Sequence, residues 1–338
     1  MQDRPRSLLT GRWYLLVAAA YVVGLVSLGL ALRHNLGFPL DDSWIHQRIA
    51  RNLIRYHTWG FTPDVISSGS SSTLWTLILS LNYLFFPGHS PVFFPLILNS
   101  IFVILSGIML WQMAVLDGLP LIYALALALL PALSGNYVWL AFIGMEHALF
   151  VTLSLLAILL WYRPKDAPGN TRLRTTLLTG LTLGALGMTR PEGLALSVLL
   201  FALYRWCGRT FTDAIRAAAV AIVFLIPSFL LNLKTSGALL PTTLLGRRFL
   251  FSGTDKLHMG RSTVRGLTIE TYHKVIQHNF FHTTGSWAIV AVILAFYGCF
   301  VLLRRFPNRT ALLILWCALL YASYCSTLPA TGQGGRYQ

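Results

Sequence analysis

Two adjacent carboxylates, Asp41 and Asp42, stand in the stretch FPLDDSWIHQRIARNLIRY (38–56), directly after a long apolar segment. Aspartate is a preferred N-cap residue and acids favour the first turn of a helix, which explains one of the pair. It explains two less well. A carboxylate held at an apolar boundary beside a second acid can serve as a general base toward a hydroxyl. His46 follows in the same stretch and is grouped with this site.

Further along, GMEHA carries Glu146 and TRPEG carries Arg190 and Glu192. Each stands near the end of an apolar run, and ionisable groups at membrane depth mark a functional site by default. TRPEG also reads as a helix start, with Thr189 as cap, Pro191 in the first turn and Glu192 complementing the dipole. Residues 234–286 form a loop too long for a mere connection, containing Arg247, Arg248, Lys256, His258, Arg261, Arg265 and Lys274. A basic, partly apolar loop of this kind suits an anionic, lipid-linked ligand. His273, His278 and His282, with Glu270 ahead of them, complete no standard metal motif. No cofactor is expected, with a divalent metal as the minor alternative.

These residues need elements to hold them, and composition says which. Hydrophobic residues make up 55% of the 338 and charged residues 11%, where soluble chains carry about 25% charge. The chain reads as an all-α integral membrane protein. Apolar runs cover 13–32, 92–115, 119–140, 148–162, 175–189, 193–206, 214–233, 287–303 and 310–325. That makes about nine crossings in a single domain spanning 1–338. Arg4, Arg6 and Arg12 precede the first run, which lacks a small-residue cleavage site and reads as an anchor. The four cysteines read as small buried hydrophobes.

Short basic loops stay on the cytoplasmic side. Arg163 with Lys165, Arg205 with Arg209, and Arg304 with Arg305 then all fall there, along with the N-terminus. The opposite, extracytoplasmic side receives Asp41, Asp42, Glu146, Arg190, Glu192 and the outer loops 33–91 and 234–286. The run LWTLILSLNYLFF (74–86) is about 13 residues long, which suits an interfacial or re-entrant segment better than a span. Residues 43–56 read as an interfacial amphipathic helix. Its Ile45, Ile49, Leu53 and Tyr56 form an apolar stripe, and Arg48, Arg51 and Arg55 a cationic one at phosphate depth.

DDSWIHQRIARNL, SSGSSSTLWTLILSL, GMEHALF, TRPEGL, LPTTL and GGRY follow one another in this order. In that order they resemble the GT-C superfamily of glycosyltransferases, most closely its arabinofuranosyltransferase and mannosyltransferase-like group. The resemblance runs from residue 33 to the end. It implies a multi-span helical bundle with an outer active site, a polyprenyl-phosphate sugar donor and inversion at the anomeric carbon. It implies Asp41 as the base with Asp42 beside it, and Arg190, Arg247, Arg248 and Arg336 as contacts for the donor phosphate. Glu146, Glu192 and His46 complete the implied site. The acceptor would be a glycan, lipid or protein hydroxyl in the cell envelope, and no nucleic acid is involved. Relatives continue past GGRY into further spans, so the chain reads as truncated at its C-terminus. Two other classes fit the composition: a polytopic transporter or lipid flippase, and an inactive fragment of a glycosyltransferase.

Overall fold

The computed structural model describes residues 11–34, 36–161, 169–239 and 241, together with 293, 296–301, 303–304 and 311–320. Among the described residues the regular structure is all helical. The helices are α1 (Gly11–Leu32), α2 (Asp41–Tyr56), α3 (Thr73–Phe85), α4 (Phe93–Leu116) and α5 (Leu121–Leu129). A 3₁₀ turn at Leu130–Leu133 leads into α6 (Gly135–Trp139), followed by α7 (His147–Trp161) and α8 (Gly169–Thr189). Then come α9 (Glu192–Ala202), α10 (Phe211–Ser236) and α11 (Ala311–Leu320). Three of these are long and apolar enough to cross a membrane: Arg12–Leu32, Phe93–Leu116 and Phe211–Ser236. At 1.5 Å per residue, the 24 residues of α4 extend about 36 Å, against a hydrocarbon core of about 30 Å.

Side-chain contacts fix how the helices run. Trp13 meets Trp111, Tyr21 fits over Gly107, and Gly29 faces Phe142, so α1 and α4 are antiparallel. The Tyr21 hydroxyl donates to Ala128 O of α5 at 2.9 Å. Asn99 reaches Met145, the Thr152 hydroxyl donates to Phe102 O, and Met113 shares a core cluster with Ile158 and Trp161. Helices α4 and α7 are therefore parallel, with α5 and α6 returning the chain between them. Gly180, Gly184 and Gly187 of α8 lie against Ala217, Phe224 and Leu225 of α10 in the same order, so this pair is parallel too. Between them, α9 turns back on α8, its Gly193 packed against Leu186.

This alternation gives the bundle two chemically different ends. The far end holds Trp13, Trp111 and Trp161, with Arg209 donating to Trp161 O (2.8 Å) and Leu160 O (2.5 Å) at the α7 C-terminus. There Arg172 pairs with Asp213, which also forms a capping box with Thr210 at the start of α10. These charges tie helix ends together, the stabilising arrangement for cations near C-termini and acids near N-termini. The near end gathers the starts of α2, α3, α4 and α7 and the joint between α8 and α9.

The structure corrects the reading of α2 as a helix lying apolar face down in the interface. Its buried residues are Ser43, His46, Gln47, Ile49, Ala50 and Asn52, a mostly polar face packed against α3 and the loops around it. Ile49, expected to face lipid, is wholly buried, and Tyr56 is exposed. Two cysteines also differ from expectation. Cys207 is buried, while Cys299 and Cys317 lie exposed on apolar helix faces.

Candidate functional site

The near end is organised around the segment 143–147, whose carbonyls are held one by one. Ser43 Oγ from α2 donates to Ile143 O at 2.5 Å. Trp75 Nε1 from α3 donates to Gly144 O at 3.1 Å, and Asn99 Nδ2 from α4 donates to Met145 O at 2.9 Å. Glu146 O accepts from Phe150 N at 2.9 Å and so begins α7. Gly144 is left-handed at φ 71°, and any Cβ there would overlap the ring of Phe38. Glycine is the residue that meets both demands. Asn99 lies six residues into α4, so the segment sits about 9 Å along that helix from its first residue.

The Glu146 side chain that this scaffold presents is 1% exposed. Its Oε1 accepts from Arg190 Nη1 at 2.8 Å, and its Oε2 faces His46 Nε2 at 3.6 Å. Arg190 also forks onto Glu192, with Nη2 to Oε1 at 3.0 Å and Nε to Oε2 at 3.3 Å, and its Nη1 lies 3.2 Å from His147 Nε2. His46 Nδ1 meets Ser70 Oγ at 3.0 Å and Thr76 Oγ1 at 3.2 Å. Burial pushes the Glu146 carboxyl up. His147, the Arg190 guanidinium, His46 and a backbone N–H together outweigh that and bring it down to about 2. The result is a sealed ionic knot joining α2, the start of α7 and the α8–α9 joint.

Asp41 and Asp42 sit on the rim above it. Asp41 is exposed as the first residue of α2, and its Oδ1 accepts the Asp42 N–H at 2.9 Å. The N-cap position belongs to Leu40, which is extended and makes no side-chain cap. The same turn of α2 is tied to the knot through Ser43 and His46. The structure thus brings Asp41, Asp42, His46, Glu146, Arg190 and Glu192 to one end of the bundle. Arg247, Arg248, Arg336 and the three spaced histidines lie outside the described residues. Among the described residues, no group of three or more His, Cys, Asp or Glu could hold a metal ion.

Two expectations change here. Thr189 does not cap α9: it ends α8, and its hydroxyl returns to Ala185 O at 2.7 Å. Pro191 takes the N-cap position of α9 without a side-chain bond, and Glu192 turns to Arg190. The side chain of Arg190, expected to contact a donor phosphate, is 11% exposed and pairs with two glutamates. It is their internal counter-ion. Sequence reasoning also missed Ser43, Trp75 and Asn99 as the residues that hold the segment. Asn99 carried a usable signal, because a carboxamide inside an apolar helix needs a buried hydrogen-bond partner. Compared with protein-family models, curated proteins and solved structures, the chain matches none.

Proposed function

We propose that this chain is a membrane glycosyltransferase of the GT-C type, built on about nine spans. In this reading it moves a sugar from a polyprenyl-phosphate donor to an extracytoplasmic hydroxyl. The observation that carries the proposal is the junction at the near end. There the turn of α2 that bears Asp41 is hydrogen-bonded to the segment of Glu146 and, through it, to Arg190 and Glu192. Four of the ordered motifs that resemble the family, far apart in sequence, meet in one place.

Asp41 has the exposure a base needs. Its Oδ1 is occupied by the Asp42 N–H, which leaves Oδ2 for an incoming hydroxyl. As Oδ2 takes the proton, the acceptor oxygen bonds to the anomeric carbon from the face opposite the phosphate. The carbon–oxygen bond to the phosphate breaks, and its electron pair leaves with the polyprenyl phosphate. Asp42 assists by holding Asp41 in place. Cations that would stabilise the leaving phosphate are Arg247, Arg248 and Arg336, the strongest kind of help for a departing anion. Glu146, Arg190, Glu192 and His46 set the position of α2 and touch no reacting atom.

The test is Asp41→Asn, assayed in membranes supplied with polyprenyl-phosphate sugars. Transfer is expected to fall at least 100-fold, the scale of a lost general base. Transfer at the parent rate would remove Asp41 from the mechanism. A second reading draws on a different observation: a wholly buried glutamate facing a buried histidine is also an arrangement proton-coupled transporters use. Substrate-driven proton uptake into proteoliposomes, lost in Glu146→Gln and kept in Asp41→Asn, would favour that reading over transfer.

A further inference from the structure

We propose that Trp44 is the platform on which a sugar ring of the acceptor stacks, which makes the acceptor a glycan. The inference rests on the reading of Asp41 as the base that receives the acceptor's proton. Trp44 follows Asp41 by three residues in α2, and residues so spaced are neighbours on one helix face. Long side chains in a helix lean back over the preceding turn, which directs the indole toward Asp41. A ring contact gives the same direction independently. The Trp44 ring meets that of Phe38, which precedes the helix, with centroids 4.9 Å apart and planes at 56°.

The indole is held in place. Phe38 is 7% exposed and packs with Val92 and Leu96 around the start of α4. Its ring fills the space a Cβ on Gly144 would need, 2.3 Å from the nearest ring carbon. The backbone on both sides of Trp44 is pinned as well, by Ser43 to Ile143 O and by His46 to Ser70 and Thr76. Contacts thus run from the Gly144 turn through Phe38 to Trp44. Yet Trp44 stays 44% exposed, and Asp41 beside it is exposed too. A large ring packed on one side and open on the other is preorganised for a ligand.

The neighbouring groups say which ligand. A sugar presents C–H bonds on the faces of its ring and hydroxyls around the edge. An aromatic ring, negative on its face, takes the C–H face, and a carboxylate accepts from a hydroxyl. Trp44 and Asp41 offer both on one turn of helix. The alkyl chain of a lipid acceptor would lie across the carboxylate and strip its water, which is costly. A serine or threonine acceptor brings a hydroxyl without a ring. The sugar next to the base is the acceptor's, because Asp41 takes the acceptor's proton.

The experiment is saturation-transfer NMR on the full chain in detergent. Methyl α-D-mannopyranoside and methyl α-D-arabinofuranoside serve as probes, one for each ring size. The parent should saturate the ring C–H protons of at least one probe. Trp44→Ala should weaken that probe's binding about tenfold, the scale of one stacked aromatic face. Trp44→Leu should do the same while keeping an apolar contact on Phe38, so it carries the test where alanine does not fold. Equal saturation by the parent and Trp44→Leu, or none in the parent, would overturn the platform. Excess polyprenyl-phosphate sugar should leave the probe bound. Displacement would give Trp44 to the donor and overturn the acceptor assignment. Probe binding needs no transfer, so the two readings fail separately. Binding that depends on Trp44, alongside unimpaired transfer by Asp41→Asn, would sink the base and leave the sugar platform standing.

Discussion

Arg190 is the residue on which the near end depends electrically, because two glutamates share its guanidinium. Removing one partner of a buried ion pair strands the other, at a cost of about 3–5 kcal/mol. Glu146→Gln should therefore lower the unfolding temperature measured by intrinsic fluorescence in detergent, and Arg190→Gln should lower it more. The double variant should lose less than the sum, since each change removes the other's stranded charge. Glu146 also gives a pH signature. Its carboxyl lies well below the ordinary value of 4.5, at about 2. The stability this adds is fully present above pH 4.5 and fades as the pH falls toward 2. At pH 4, an infrared difference spectrum between the parent and Glu146→Gln should show no protonated carboxyl band from Glu146. A band there at pH 4 would mean the knot is not ionised. None of this pairing was legible in the sequence. Glu146, Arg190 and Glu192 stood out as costly charges, but which atoms they satisfy depends on helices 44 residues apart.

The helices themselves were far more legible. Runs at 92–115, 148–162 and 214–233 became Phe93–Leu116, His147–Trp161 and Phe211–Ser236, because apolar length alone marks such elements. The short run at 74–86, expected to be an interfacial or re-entrant segment, is the helix Thr73–Phe85. Helix faces were harder to read. The inward face of α2 is polar because its partners are backbone carbonyls and α3 hydroxyls, which single-segment periodicity cannot reveal. Packing by glycine is also visible only in three dimensions. A Cβ on Gly180 would sit 2.6 Å from Ala217 O, and one on Gly184 would sit 2.7 Å from Phe224 Cβ. Small residues let α8 and α10 approach this closely, as in membrane helix pairs generally. Alanine at both positions should destabilise the fold by about 1–3 kcal/mol each through overpacking. Gly118→Ala is the contrast. It has φ 68° and open space, so only the left-handed backbone cost of about 1–2 kcal/mol applies and no helices are forced apart. Thermal unfolding of the three variants, with a cross-link between α8 and α10 as a distance gauge, separates the two effects.

Over the whole molecule, the alternation of helix direction sets the near end and the far end on opposite faces of the bundle. Ser90 lies exposed between α3 and α4, and Arg205 is exposed after α9. In a cysteine-free background, cysteine at these two positions should react with a membrane-impermeant maleimide from opposite sides of sealed vesicles. Labelling of both from one side would undo the proposed membrane orientation, although the bundle itself would stand. The sequence anticipated this division through its basic loops, since Arg172, Arg205 and Arg209 belong to the end away from Glu146. The parallel pairing of α4 with α7 and of α8 with α10 was not anticipated.

The knot also imposes an order on biosynthesis. His46 and Asn99 leave the ribosome before Glu146, but Arg190 follows 44 residues later. At about 5–20 residues per second, that delay is roughly 2–9 seconds. During it, the nascent chain carries a glutamate whose permanent counter-ion has not yet been made. The imidazole of His46, waiting at the start of the chain, is the native partner already available to it.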